Sequence, residues 1–364
     1  MARLAPLYIG AEIYAHAAFP PPHPLAIPRA GAVEAMCRAL GWLDGVYVTS
    51  PVADLAGLAR YHDAEYIAAV ARADREQRAD AAARARGLAT SANPIFPGMF
   101  RRASTAVGGS LLAARLAWDG RIVFHPPGGT HHGGRARASG FCFFNDPVFA
   151  ILELLELGAA RVAYVDFDAH HGDGVEDAFA DEARVLTISI HEVDRWPRSG
   201  GLGERRGGGA RNMPVPRGLN DDEFGCLVDE AVLPLVRRFA PDALVVLAGA
   251  DALAGDPLAK LALSNGALGR AVEAVAALAP AVVVLGGGGY NPWNVVRCWS
   301  SLWGRLNAWP IPDPLPAPAR AVLEGLWSPR VREIDPAWLT TLADPARGGA
   351  VREEIWEIVA ASLA

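Results

Sequence analysis

The chain has 364 residues, 51% hydrophobic and 20% charged, with a formal net charge of −6. That mix fits a soluble globular protein with one large α/β domain or two smaller ones, and the negative balance argues against nucleic-acid or anionic-membrane binding. No apolar run reaches membrane-spanning length and Met1–Gly10 lacks a signal peptide's unbroken apolar core, so the expected compartment is the cytoplasm.

Residues 1–30 are rich in aromatics and proline, and Pro20–Pro24 must be a loop. A helix follows over Gly31–Leu40. Asp63–Arg86 reads as helical, with Arg72–Arg86 as a solvated charged face, and Ser91–Gly98 breaks it. Arg101–Trp118 reads as a helix whose Gly108–Gly109 step allows close packing. From there a strand–loop–helix unit repeats. Its strands are Arg121–His125, Arg161–Val165, Val185–Ile190, Ala243–Leu247 and Ala281–Leu285. Its helices are Pro147–Leu157, Asp221–Phe239, Leu268–Leu278 and Pro292–Leu306, and a long Gly/Arg loop runs from His191 to Asn212. Strands apolar throughout, alternating with helices, predict an α/β fold with a parallel sheet covered on both faces. Residues 1–310 then form the main domain. Residues 311–364 are a proline-rich connector and an appendage ending in a helix over Val351–Leu363, packed on that domain.

Ligands in such sheets bind beyond the carboxyl ends of the strands, and each predicted strand from Arg121 onward ends in a polar cluster. The densest is Tyr164–Gly174, where alternation along an extended chain points Asp166, Asp168 and His170 the same way. Buried carboxylates and an imidazole converging there are costly unless something binds them. Carboxylate oxygen with imidazole nitrogen suits zinc, with iron or manganese as alternatives. Asp168 and His170 supply two ligands and Asp251, from another strand end, a third. Three protein ligands leave an open position, the mark of a catalytic zinc that activates water. The competing reading is a buried ion-pair network.

A base must then take the proton of that water. His131 and His132, in a glycine-rich loop after a strand, are the candidates, and both need orienting carboxylates. Tyr290 follows four glycines. Either it packs as a loop aromatic or its phenol donates to a developing oxyanion. His191 reads equally as a wall residue or a structural one, and His171 as a hydrogen-bonder to the ligands. His16, His23, His62 and His125 are left as structural. The cysteines Cys37, Cys142, Cys226 and Cys298 form no CxxC pair, so neither a thiolate zinc site nor a redox pair is expected.

These residues resemble the zinc-dependent histone deacetylase family, in its bacterial branch with acetoin-utilisation deacetylase-like proteins. The resemblance spans roughly residues 8–305 and rests on five motifs in order: Gly129–Gly133, Gly140–Asp146, Asp166–Gly174, Gly249–Pro257 and Gly286–Asn291. It implies the arginase/deacetylase fold, with a central parallel sheet of about eight strands flanked by helices. It implies Asp168, His170 and Asp251 as zinc ligands, with Fe2+ or Co2+ as alternatives. His131 and His132 match the tandem histidines, paired with Asp166 and Asp173, and Tyr290 matches the carbonyl-polarising tyrosine. Phe141 with Gly140 matches one wall of the substrate channel, and Trp196 stands where the opposite aromatic wall is usual. Arg29 resembles the arginine of an acetate-release channel. A potassium ion is implied near Asp166, Ser189 and the backbone of Asp168, His170 and Ile190. Ala92 stands where peptide-acting members tend to carry a rim aspartate, and Gly255–Ala259 holds no acidic gate of the polyamine-selective type.

The implied activity is hydrolysis of an acyl group from an amine, either acyl-lysine in a protein or a small acylated amine such as an acetylpolyamine, with homo-oligomerisation left open. A ureohydrolase of the arginase type is the rival enzyme. Its second metal would need side-chain ligands at Gly172 and Leu253, and neither can supply one. A non-catalytic binding protein on the same fold is the third reading, although no ligand and no tyrosine is lost. A dinucleotide site at Gly286–Gly289 lacks the GxGxxG pattern.

Overall fold

The computed structural model describes residues 3–364. Its centre is one parallel sheet of eight strands: β1 (Leu4–Gly10), β2 (Tyr47–Thr49), β3 (Arg121–His125), β4 (Val162–Asp166), β5 (Val185–Glu192), β6 (Ala210–Val215), β7 (Ala243–Leu247) and β8 (Ala281–Leu285). The strand order is β2-β1-β3-β8-β7-β4-β5-β6. Every pairing is parallel, including Val246 with Val284 and Asp166 with Ser189.

The apolar central strands serve two cores at once. Along β8, Ala281, Val283 and Leu285 face one core, while Val282 and Val284 face the other. The first face is covered by helices Met99–Trp118 and Asp146–Glu156, the second by Ala30–Ala39, Asn265–Ala276 and Pro292–Leu306. Such two-sided cover is what strands without polar alternation require.

Three strands differ from the sequence reading. β1 lies in the stretch read as proline-rich, β2 has only three residues, and β6 lies across the end of the predicted Gly/Arg loop and beyond it. The helix expected over Asp63–Arg86 is two helices, Ala64–Glu76 and Ala81–Ala85. Gln77 turns left-handed and ends the first, and Asp80 caps the second by accepting from Ala83 N at 2.7 Å. The helical stretch Asp221–Phe239 carries a π turn over Val228–Val232, just before Pro234, which has no N–H to continue the regular ladder.

The C-terminal segment contains helices Ala317–Glu324 and Glu353–Leu363. Helix Glu353–Leu363 lies against edge strand β6. The buried Arg297 pairs with Asp344 at 2.7 Å and donates to Thr341 O and Ala343 O. Among the described residues no helix is long and apolar enough to cross a membrane.

Candidate active site

Four neighbouring strands at the centre of the sheet, β3, β8, β7 and β4, end at one place. The loop after β3 brings His131 and His132, the loop after β4 brings Asp168 and His170, the loop after β7 brings Asp251, and the loop after β8 brings Tyr290.

The ligand atoms of Asp168, His170 and Asp251 lie within 4.8 Å of one another, and all three residues are buried. His170 Nδ1 is 3.1 Å from Asp168 Oδ1 and 3.0 Å from Asp251 Oδ2. A single ring N–H cannot point at both carboxylates, whereas a cation between the three atoms satisfies all of them. Ligands of a tetrahedral zinc lie roughly 3.3–3.6 Å apart, close to these separations. The charges agree with this. Burial opposes protonation of His170, yet Asp168 and Asp251 push its imidazole up to about 10. The trio therefore recruits positive charge, and the residues fit a divalent ion. Backbone donors fix the carboxylates. Asp168 Oδ2 accepts from Gly288 N at 2.6 Å, and Asp251 Oδ1 from Ala169 N at 3.1 Å, which leaves Asp251 Oδ2 free to ligate.

Beside the trio, His131 turns Nδ1 to Asp166 Oδ2 at 2.8 Å, and His132 turns Nδ1 to Asp173 Oδ1 at 2.7 Å. Asp166 also accepts from Tyr164 Oη at 2.6 Å and Asp168 N at 2.9 Å. Burial disfavours the charged form of both histidines. For His131 the carboxylates of Asp166 and Asp168 outweigh it and hold the ring up to about 9. For His132 burial and the neighbouring His131 charge prevail, lowering it to about 4. Asn145 holds the loop that carries both, donating from Nδ2 to His131 O and Gly133 O.

Tyr290 is buried, its ring 6.3 Å from that of His170 and 5.7 Å from Phe141. Burial, then Asp251 and Asp168, raise its phenol well above the usual range, so it stays a donor. The glycine loop before it passes hard against the trio: a Cβ on Gly288 would lie 2.7 Å from both Asp168 Oδ2 and Asp251 Cγ. Arg29 braces this loop, donating from Nη1 to Gly287 O at 2.9 Å and Gly289 O at 3.2 Å. Arg29 also lines a pocket of about 90 Å³, which it shares with Tyr14, Arg102, Thr130 and Phe141. Asp256 holds the same loop, accepting from Tyr290 N at 2.7 Å; burial and Asp251 push its carboxyl up to about 8. Nothing in the sequence marks that role, because its partner is a backbone N–H far along the chain.

A channel of about 620 Å³ leads in from the surface, with His132, His170 and Tyr290 at its floor. Phe141, Gly140 and Trp196 line it. The Trp196 indole stands edge-on to His132, ring centroids 4.6 Å apart, and a Cβ on Gly140 would come within 2.7 Å of both rings. Of the residues matched to a potassium ion, Asp166 and Ser189 are neighbours across β4 and β5, and Ser189 Oγ pairs with His191 Nδ1 at 2.9 Å. His191 also bonds Gly200 O and is buried, so it braces the loop rather than lining the channel. His171 bonds Glu176 and Ser199, not the trio.

Comparison with known proteins gives the class. The family profile described as histone deacetylase domain matches residues 23–306, and the chain belongs to the histone deacetylase family. Within that family it falls in the bacterial, AcuC-like branch. It is 36% identical over 274 residues to the acetoin utilization protein AcuC of Bacillus subtilis (strain 168), covering 71% of each chain. It is 34% identical over 299 residues to histone deacetylase 8 of Xenopus tropicalis, covering 78% of this chain and 80% of that one. The crystal structure of an HDAC homologue from Aquifex aeolicus superposes with a TM-score of 0.95 at 33% identity, covering 99% of this chain and 100% of that one. A structure of an HDAC homologue complexed with SAHA matches with the same values.

Proposed function

We propose that the protein is a metal-dependent amidohydrolase that removes acetyl or another acyl group from an amine. The observation that carries this reading is the floor of the channel, where a ligand of the trio, a neutral histidine and a protonated phenol meet. Zinc, with iron(II) or cobalt(II) as alternatives, held by Asp168, His170 and Asp251, would supply an acidified water and a polarised carbonyl. A potassium ion near Asp166 and Ser189 belongs to the same proposal.

The chain's own groups do the rest. His132, its Nδ1 held by Asp173, has Nε2 free to take a proton from the attacking water. His131, kept charged by Asp166, supplies positive charge beside the reacting centre, and His132 passes the proton it took to the departing amine. The Tyr290 hydroxyl donates to the carbonyl oxygen as it gains negative charge. Arg29 and Asp256 keep the glycine loop, and hence Tyr290, in register. Phe141 and Trp196 flank the acylated arm, and the cavity at Arg29 offers the released acid a cationic wall.

The test is a substrate panel: acyl-lysine peptides, free acyl-lysine, acyl-polyamines and small amides, each with zinc, iron(II) or cobalt(II) supplied. Release of amine from at least one, blocked by SAHA, supports the reading. Inertness toward all of them, with no SAHA binding, contradicts it.

A further inference from the structure

The outer rim of the channel carries charge that the reaction does not use. Resting on the amidohydrolase reading above, we propose that this rim recognises the zwitterionic head group of a free amino acid. The favoured substrate is then an α-amino acid acylated on its side-chain amine, of the acyl-lysine type, rather than an acylated residue within a peptide.

Asp194 and Arg198 line the channel on either side of Trp196, and both are exposed. Among the described residues neither side chain has a hydrogen-bond or ion-pair partner. Arg195 between them differs, since its guanidinium is taken by the buried Glu192. Both free residues are also held left-handed, Asp194 at φ 57 and Arg198 at φ 64. Arginine rarely adopts that conformation, and residues kept in it cluster at ligand clamps. The tryptophan they bracket is packed on His132, which ties the backbone carrying the two charges to the channel floor.

The channel lining supplies a third group. Asn93 is 1% exposed, lines the channel, and its side-chain Nδ2 has no partner. A buried amide donor left unpaired costs free energy until an acceptor arrives. Its neighbour Ala92 offers no polar side chain, and Thr90 Oγ1 is occupied by the Asn93 N–H. The rim therefore presents one carboxylate for an ammonium and one guanidinium for a carboxylate, with the unpaired Asn93 amide buried in the same lining. An α-amino acid carries both charges on one carbon. In a peptide both are lost to amide bonds, and Asp194 and Arg198 would each face a neutral group.

Steady-state kinetics of the zinc-loaded protein on four forms of ε-acetyl-lysine tests this: free, capped at the α-amine, capped at the carboxyl, and capped at both. The free form is expected to exceed the doubly capped form by about tenfold or more in kcat/KM, mainly through KM, equivalent to about 1.4 kcal/mol. Arg198→Gly, which suits the left-handed backbone, should abolish the preference for a free carboxylate. Asp194→Asn should abolish the preference for a free amine. That crossed pattern is not expected of a merely structural change. Equal or better turnover of the doubly capped form, or variants that scale all four substrates alike, would overturn the rim proposal while leaving the hydrolase reading intact. Inertness toward all four, and toward the wider panel, would remove both.

Discussion

His131 and His132 lie 3.9 Å apart between ring centroids, each with Nδ1 on its own carboxylate, yet they are driven to opposite protonation. His131 rises to about 9 and His132 falls to about 4. Two imidazoles in contact, their planes tilted 52° and both buried, do not both ionise readily, and His131 stands nearer the Asp166 and Asp168 charges. The ring left neutral, His132, is the one that lines the channel.

His132→Gln should therefore lower kcat by about 10²–10⁴-fold, the range that general-base catalysis contributes. Bound zinc, measured by elemental analysis, should stay at the wild-type level. Turnover unchanged from wild type would put the base elsewhere.

Removing the phenol isolates a different contribution. Tyr290→Phe keeps the ring that packs on Phe141 and should keep zinc content and the far-ultraviolet spectrum. Loss of one oxyanion donor should reduce kcat by about 10²–10³-fold. An unaltered kcat would assign Tyr290 to packing alone.

The channel wall can be moved in either direction. Trp196→Ala opens the side facing Gly140 and should broaden the range of acyl chains hydrolysed. Gly140→Ala adds a methyl where Trp196 and His132 already crowd, at a backbone φ of 53. It should raise KM for every acylated substrate and cost about 1–2 kcal/mol of stability from the left-handed backbone. Acyl-chain profiles measured on both variants check this, and identical profiles would place the pair off the substrate path.

Acid should weaken the fold through His62. Its Nε2 accepts from Asn145 N at 3.1 Å, and its Nδ1 lies 3.1 Å from Arg135 O, so the native ring is neutral. Burial lowers its pKa from 6.5 to about 4. The unfolded chain binds the extra proton first, so stability is full above about pH 6.5 and falls as pH drops toward 4. The loss approaches roughly 3 kcal/mol. Urea denaturation at pH 7 and pH 5 should show it, with a smaller decrement in His62→Gln. A wild type equally stable at both pH values would contradict the assignment.

Much of this was readable in the sequence, and the gaps have physical causes. β7 and β8 are unbroken apolar runs, so they declare themselves. β2 and β6 lie at the sheet's edges, where strands are short or polar, and β6 contains Arg211, Asn212 and Pro214. β1 carries Pro6, and its pairing shifts register between Leu4 and Leu7. Acid, imidazole and glycine concentrated after strands exposed Asp168, His170, Asp251, His131, His132 and Tyr290. Asp256 and Asn145 escaped because they act on backbone groups that only the fold brings near. Asp194, Arg198 and Asn93 escaped because what distinguishes them is a dihedral angle or a missing partner.

The dependence on one ion held by Asp168, His170 and Asp251 is tested most directly by titrating metal-free protein with zinc while following amine release from an acetylated substrate. Activity should saturate at one ion per chain and be absent, together with tight zinc binding, in Asp251→Ala. Full activity without divalent metal, a requirement for two ions, or undiminished zinc affinity in that variant would contradict it.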